Sequence, residues 1–108
     1  MKYTKRTDAA IQAMASLCAS HSGTPVPLQT LAKPGLSVTY LEKLFSSLRT
    51  AGLIVSTRGP GGGYQPASDN TTVGDVVRAF SQDGFLSHPA VLTALDSVQI
   101  TDLQETPR

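Results

Sequence analysis

The sequence predicts a mostly helical α+β domain, and three observations carry that expectation. Apolar residues recur at helical spacing over several stretches; one short run, Leu53-Ile54-Val55-Ser56-Thr57-Arg58, has the β-branched character of a strand; and a glycine-rich tip, Gly59-Pro60-Gly61-Gly62-Gly63, follows it directly. At 108 residues the chain has the size of one domain, and 40% apolar against 16% charged residues suits a packed core rather than a disordered tail.

The elements follow in order. Asp8 to Ala19 contains no Gly or Pro and sets Ile11, Met14 and Cys18 at helical spacing beside Ala10 and Leu17, which predicts a first helix from Thr7 to Ser20. His21-Ser22-Gly23-Thr24-Pro25 stops it, Pro27 opens a short second helix from Leu28 to Lys33, and Pro34-Gly35 ends that one. Ser37 suits an N-cap, because its hydroxyl oxygen can accept from an otherwise unpaired backbone N–H. Leu41, Leu44, Phe45 and Leu48 then form the clearest apolar stripe in the chain, on a third helix reaching Ala51 before Gly52. Its opposite face carries Thr39, Glu42, Lys43, Ser46 and Arg49. The β-rich run, the glycine tip and Tyr64-Gln65-Pro66 make a hairpin. Thr72 and Asp75 resemble a capping box opening a helix from Val73 to Phe80. Gln82-Asp83-Gly84 breaks it, Pro89 suits the first turn of a helix to Val98, and Thr101 to Glu105 adds a last turn.

Several function classes are excluded. The longest charge-free stretch, near residues 9–32, is broken by polar residues, Gly23 and two prolines, so no membrane-spanning helix and no membrane partner are expected. The start lacks the apolar run of a signal peptide, and a cytoplasmic location is expected. Cys18, the single cysteine, cannot form an intrachain disulfide, and with only His21 and His88 beside it no metal site and no cofactor are expected. No nucleophile–base pair or carboxylate pair stands out, so the chain reads as no enzyme. Gly59 to Gly63 lacks the Lys-Ser/Thr end of a P-loop, and Tyr64 stands where Gly-x-Gly-x-x-Gly needs its last glycine. Charge is uneven: residues 1–58 carry about +5 and residues 59–108 about −4, so the first half is expected to face a polyanion.

Two helices, a Pro-Gly turn, a third helix with a polar outer face and a glycine-tipped hairpin are the order of a winged helix-turn-helix with a two-stranded wing and a short C-terminal helical segment. The third helix can lie in a major groove while the hairpin flanks it, which makes double-stranded DNA the expected partner. The expected division is residues 1–80 as the DNA-binding domain and residues 81–108 as a dimerisation or packing segment.

The residues themselves sharpen this. Val26-Pro27-Leu28, the run from Leu36 to Phe45, Leu48-Arg49-Thr50-Ala51-Gly52-Leu53-Ile54, Ser56-Thr57-Arg58-Gly59-Pro60-Gly61-Gly62-Gly63-Tyr64 and the run from Val73 to Ala79 resemble the IscR/NsrR/CymR family of bacterial winged-helix transcriptional regulators. The resemblance spans residues 2–80, and its Arg-Gly-Pro-Gly-Gly-Gly-Tyr wing is the most specific part. It implies a homodimer on imperfectly palindromic operators, most often a repressor, and in many members an iron–sulfur sensor.

Carried over residue by residue, the resemblance puts Thr39 and Glu42 at base-reading positions and Arg58 at the base of the wing, facing the minor groove. Glu42 can accept from cytosine N4–H₂, Thr39 can bond a base or touch a thymine methyl, and Arg58 is attracted by the potential of a narrow groove. Backbone contacts are expected from Lys5, Arg6, Ser37, Lys43, Arg49, Gly61 and Gly62. A second reading keeps the fold but has it bind a regulatory protein partner.

The chain departs from the resemblance after Phe80, where cluster-binding members carry three cysteines and this sequence has none. Asp8 matches an acidic position that completes the cluster in some relatives, but one carboxylate cannot hold a cluster without thiolates. Cys18 is expected to be a small buried hydrophobe, and His88 a helix-cap neighbour or surface residue. Lys33-Pro34-Gly35 is one residue shorter than the usual connection, and the segment after Phe80 is shortened. Val91, Leu92, Leu95 and Val98 are expected to form a dimer contact, with Ile100 and Leu103 adding apolar surface; the alternative is that this segment folds back over Phe80 and Phe85.

Overall fold

A computed structural model describes residues 5–80 and 88–104, the side chains of Lys5 and Gln104 excepted. Along the chain run α1 (Lys5–Ser20), α2 (Leu28–Leu31), α3 (Val38–Thr50), β1 (Ile54–Thr57), β2 (Gly63–Pro66), α4 (Val73–Phe80), α5 (Pro89–Leu95) and a 3₁₀ helix (Ile100–Gln104). This is the expected mostly helical winged architecture. α1 sends Met14 and Leu17 inward, α3 sends Leu41, Leu44, Phe45 and Leu48, and α4 sends Val76 and Val77; all are fully buried in one cluster.

The helix ends follow local chemistry. Ser37 Oγ accepts from the Tyr40 N–H at 3.2 Å, the expected cap of α3. α2 stops at Leu31 rather than at Lys33, because Lys33 is drawn into a tight turn: the Leu36 N–H donates to its carbonyl at 2.8 Å, with Pro34 and Gly35 at the corners. That turn sets the angle between α2 and α3. At α4 the Thr72 N–H donates to Asp75 Oδ2 at 3.0 Å and the Asp75 N–H donates to Thr72 Oγ1 at 3.1 Å, a reciprocal cap. His88 caps α5, its Nδ1 accepting from the Ala90 N–H at 3.0 Å.

The C-terminal segment differs from expectation. α5 ends at Leu95 instead of Val98, since Asp96 and Ser97 turn the chain back. Val98 then accepts from the Val73 N–H at 2.8 Å, and the Ile100 N–H donates to Thr71 at 2.9 Å, so residues 98–100 lie along the start of α4. The 3₁₀ helix packs on α1 with Ile100 fully buried. Ile100 was expected to add to exposed apolar surface; it is a core residue instead, because the turn at Asp96–Ser97 carries it back under α1.

Arg78 reaches from α4 to the turn after α5 with two parallel hydrogen bonds to Asp96, at 2.7 and 2.8 Å. A Cβ at Gly74, on the same helix, would strike the Asp96 carboxylate and come to 3.2 Å from its backbone nitrogen, so glycine lets the two elements meet. The Arg78 hydrogen bond holds the Asp96 carboxyl below the ordinary carboxylate range, against the opposing effect of desolvation and helped by the guanidinium charge. Its folded-state pKa is thus lower than its unfolded one, so the stabilisation is present above the unfolded value and is lost as pH falls through the folded one. Both side chains are exposed and the effect is salt-screened and small. Asp96→Asn is therefore expected to lower the melting temperature slightly at neutral pH, with the difference closing in acid as pH falls below the ordinary carboxylate range. Melts of both proteins across that range check it; a difference that persists in acid contradicts the assignment.

Candidate nucleic-acid interface

The wing packs against α3. β1 and β2 pair antiparallel with Val55 opposite Gln65 and Thr57 opposite Gly63. β2 is fastened on its other side too: the Val26 N–H donates to Tyr64 O at 2.8 Å and the Tyr64 N–H donates to Val26 O at 2.9 Å. The Tyr64 ring meets Phe45 of α3 edge-on, with centroids 5.0 Å apart and planes at 82°. His21 Nε2 lies 3.1 Å from Gln65 Oε1, joining the end of α1 to the same strand. α3 and the wing therefore move together.

The tip depends on glycine for two separate reasons. Gly61 takes φ +75° in a turn closed by the Gly62 N–H donating to Gly59 O at 2.9 Å, with Pro60 ahead of it. Gly63 leaves no room for a side chain, because a Cβ there would run into the Val26 carbonyl and the Pro27 nitrogen. A Cβ at Gly62 would meet the carbonyl oxygens of Thr57 and Gly59.

On α3, a rotation of 100° per residue centres the outward face on Thr39, Lys43, Ser46 and Thr50, all exposed. Glu42 and Arg49 stand on one flank, and Tyr40 and Ser47 on the other. The Glu42 flank faces the wing: Arg49 Nη1 donates to Ser56 Oγ at 3.5 Å. Among the described residues Glu42, Lys43 and Arg58 have no ion pair or side-chain hydrogen bond, so none is held in a structural contact. Arg58 follows β1 directly and is exposed at the foot of the tip. Thr39 and Lys43 thus lie on the outward face of α3, Glu42 and Arg49 on its flank towards the wing, and Arg58 and the Gly61–Gly62 tip on the hairpin itself, with Ser37 at the start of α3.

Other expected positions stand apart. Lys5 opens α1, and its side chain lies outside the described residues. Arg6 is committed to its own fold, its Nη2 donating to Ser47 Oγ at 3.2 Å and its guanidinium lying 5.1 Å from the centre of the Phe80 ring. Leu92, Leu95 and Val98 are half-buried against the chain's own core, so they do not form the free apolar face read from the sequence. The early end of α5 takes Val98 off the helix, while Leu92 and Leu95, three residues apart, share the side that packs on the core. What faces out around α5 is Ala90, Ala94 and half-buried Val91, with Leu103, 42% exposed, on the following 3₁₀ helix. Phe85 lies outside the described residues. No described helix is long and apolar enough to cross a membrane.

The model of the family Rrf2, described as "Iron-dependent Transcriptional regulator", matches residues 3–93. The chain is similar to the "HTH-type transcriptional regulator IscR" of Vibrio vulnificus, 42% identical over 85 residues that make up 76% of this chain and 51% of that protein. The IscR of Vibrio campbellii is 41% identical over the same length and share. The chain spans about half the length of the curated relatives it matches. Among solved structures it is similar to CymR, "the Global Cysteine Regulator of B. subtilis", with a TM-score of 0.78, 31% identity and 96% of each chain covered. T. potens IscR gives a TM-score of 0.77 and 31% identity over 95% of this chain and 85% of that one.

An iron site does not fit the residues present. The 108-residue sequence holds one cysteine, where clusters are ordinarily held by three or four thiolates. Burial pushes the half-buried Cys18 thiol up, and the charge of Asp69 adds to the effect, which disfavours the thiolate a metal needs. Asp8 is occupied by a hydrogen bond from Gln12 at 2.7 Å. Among the described residues no group of three or more His, Cys, Asp or Glu could hold a metal ion.

Proposed function

Because the chain belongs to the Rrf2 family of transcriptional regulators, we propose that it is a cytoplasmic, sequence-specific repressor acting on double-stranded DNA and regulated without an iron–sulfur cluster of its own. The observation that carries this reading is the packing of the wing against α3, with Thr39, Glu42 and Arg58 exposed and without a side-chain partner among the described residues. In the proposed complex α3 enters the major groove, where Thr39 and Glu42 read base edges, and Arg58 enters the adjoining minor groove. Lys5, Lys43, Arg49, the Ser37 hydroxyl and the Gly61–Gly62 backbone contact phosphates and set the register. Glu42 repels phosphate, so its contribution is discrimination rather than affinity.

Selection of sites from random duplexes by the purified protein is the test. One preferred sequence is expected, bound with an affinity that falls steeply with salt as counterions are released. Glu42→Ala is expected to broaden the selected sequence with little loss, or a gain, in affinity for random duplex. Absence of any preferred sequence from the parent rejects the proposal.

The expected dimer is proposed to form through the outer side of α5, around Val91, Ala90, Ala94 and Leu103, with residues 81–108 as the contact and residues 1–80 as the DNA-binding part. A two-fold contact there sets two α3 helices on half-sites about one turn of DNA apart. The same preparation, made without oxygen, is expected to show a dimeric mass by light scattering and no stoichiometric iron or sulfide. A monomeric mass removes the first part of this reading and a full complement of iron removes the second.

A further inference from the structure

We propose that Arg6 is a positioning residue for α3, setting the pose of the DNA-reading helix without touching DNA itself; the inference rests on the DNA-binding reading above. Arg6 is exposed, and its charge alone suggests a phosphate contact. Its geometry points elsewhere. The guanidinium donates from Nη2 to Ser47 Oγ at 3.2 Å, across 41 residues of sequence, and lies 5.1 Å from the centre of the Phe80 ring. One residue from each of three helices meets at this point: Arg6 of α1, Ser47 of α3 and Phe80 at the end of α4.

Ser47 occupies the flank of α3 opposite the one that carries Glu42 and Arg49. The wing side of the helix is held by the Phe45–Tyr64 ring contact and by Arg49 with Ser56. On the other flank Arg6 bonds Ser47, beside Tyr40, which is partly buried against the core. The buried Leu41–Leu44–Phe45–Leu48 stripe seats α3 in the core, and the two flank contacts limit the roll that remains about its axis, a roll that moves Thr39 and Glu42 together relative to the base edges. Arginine suits the task through its shape: a planar guanidinium can lie over a ring and donate in its own plane at once, which a lysine ammonium cannot do. Phe80 is half-buried against the core, so the platform beneath Arg6 is fixed to the body of the domain. A displacement of the end of α4 would pass through Arg6 to the recognition helix.

Phe80 lies on α4, outside the side proposed to face DNA, and is the site to perturb. Phe80→Leu is expected to lower the ratio of affinities for the selected site over random duplex about threefold, with the salt dependence unchanged. Phe80→Tyr, which keeps a ring, is expected to retain the parent ratio. Adding Phe80→Leu to Arg6→Gln is expected to lower the ratio no further than Arg6→Gln does alone, as for two residues acting through one contact. In the free protein, amide hydrogen exchange over Ser47–Thr50 is expected to be faster in Phe80→Leu than in Phe80→Tyr.

The proposal is overturned if Arg6→Gln weakens selected and random duplexes equally and reduces the salt slope by about one phosphate. It is equally overturned if Phe80→Leu leaves exchange in α3 unchanged. A parent protein that binds no duplex defeats the DNA-binding reading alone; the exchange comparison then still decides whether Arg6 holds α3.

Discussion

Phe45→Ala is expected to cost about 3–5 kcal/mol of folding stability, the range for truncating a fully buried aromatic side chain. That is a large part of the ~5–15 kcal/mol that holds a domain of this size together. Phe45 is fully buried in the core, and its ring meets Tyr64 of the wing edge-on at 5.0 Å. Truncation leaves a cavity and removes the partner ring together, and the neighbouring Leu41, Leu44 and Leu48 are fixed by their own helix and cannot close the space. Phe45→Leu keeps most of the volume and is expected to cost less than half as much. Denaturant unfolding followed by circular dichroism measures both; a loss under ~1 kcal/mol for the alanine variant means the site collapses freely and the account of the core is wrong. Because the same ring fastens the wing to α3, DNA binding is expected to weaken at temperatures where the variant is still folded.

Arg58→Ala is expected to weaken binding to the selected operator by about fivefold or more, the scale of one lost groove contact at roughly 1–3 kcal/mol. Two features support that size. The side chain is exposed at the foot of the tip, and among the described residues it has no hydrogen bond or ion pair, so nothing in the fold competes for it. The hairpin that presents it is tied to Val26 on one side and to α3 on the other, so little ordering is left for the moment of binding. Arg58→Lys keeps the charge but loses the flat, weakly hydrated group that fits a narrow groove, and an intermediate loss is expected. Titration of labelled duplex measures the effect, with thermal melts expected to coincide for all three proteins. An unchanged operator affinity removes Arg58 from the interface.

Elements governed by short-range chemistry were legible in the sequence. The Leu41–Leu44–Phe45–Leu48 stripe, the Ser37 cap, the Thr72–Asp75 reciprocal cap and the glycine tip each announce themselves within a few residues, and each stands where expected. The exposed residues of α3 were equally legible, as the complement of its buried stripe. What stayed hidden depends on contacts between distant residues. Nothing near Val26 marks it as the partner of Tyr64, and nothing near Arg6 points to Ser47 and Phe80. Arg78 and Asp96 read as two ordinary surface charges 18 residues apart until the turn after α5 brings them together. That turn also explains the misplaced end of α5: periodicity continues through Val98, but periodicity cannot say whether the backbone keeps turning.

The pairing of Val26 with Tyr64 also bears on how the protein behaves when crowded. A two-stranded hairpin by itself has two open edges, each a row of backbone donors and acceptors ready to join a strand from another molecule. Here the loop before α2 occupies the β2 edge, so intermolecular pairing is left only β1, four residues long, with Arg49 reaching over Ser56 and Arg58 at its end. A short edge flanked by two positive charges is a poor template for a second positively charged copy of itself. If copies gather along one stretch of DNA, as the proposed function implies, their wings offer one another no long open strand edge to pair with.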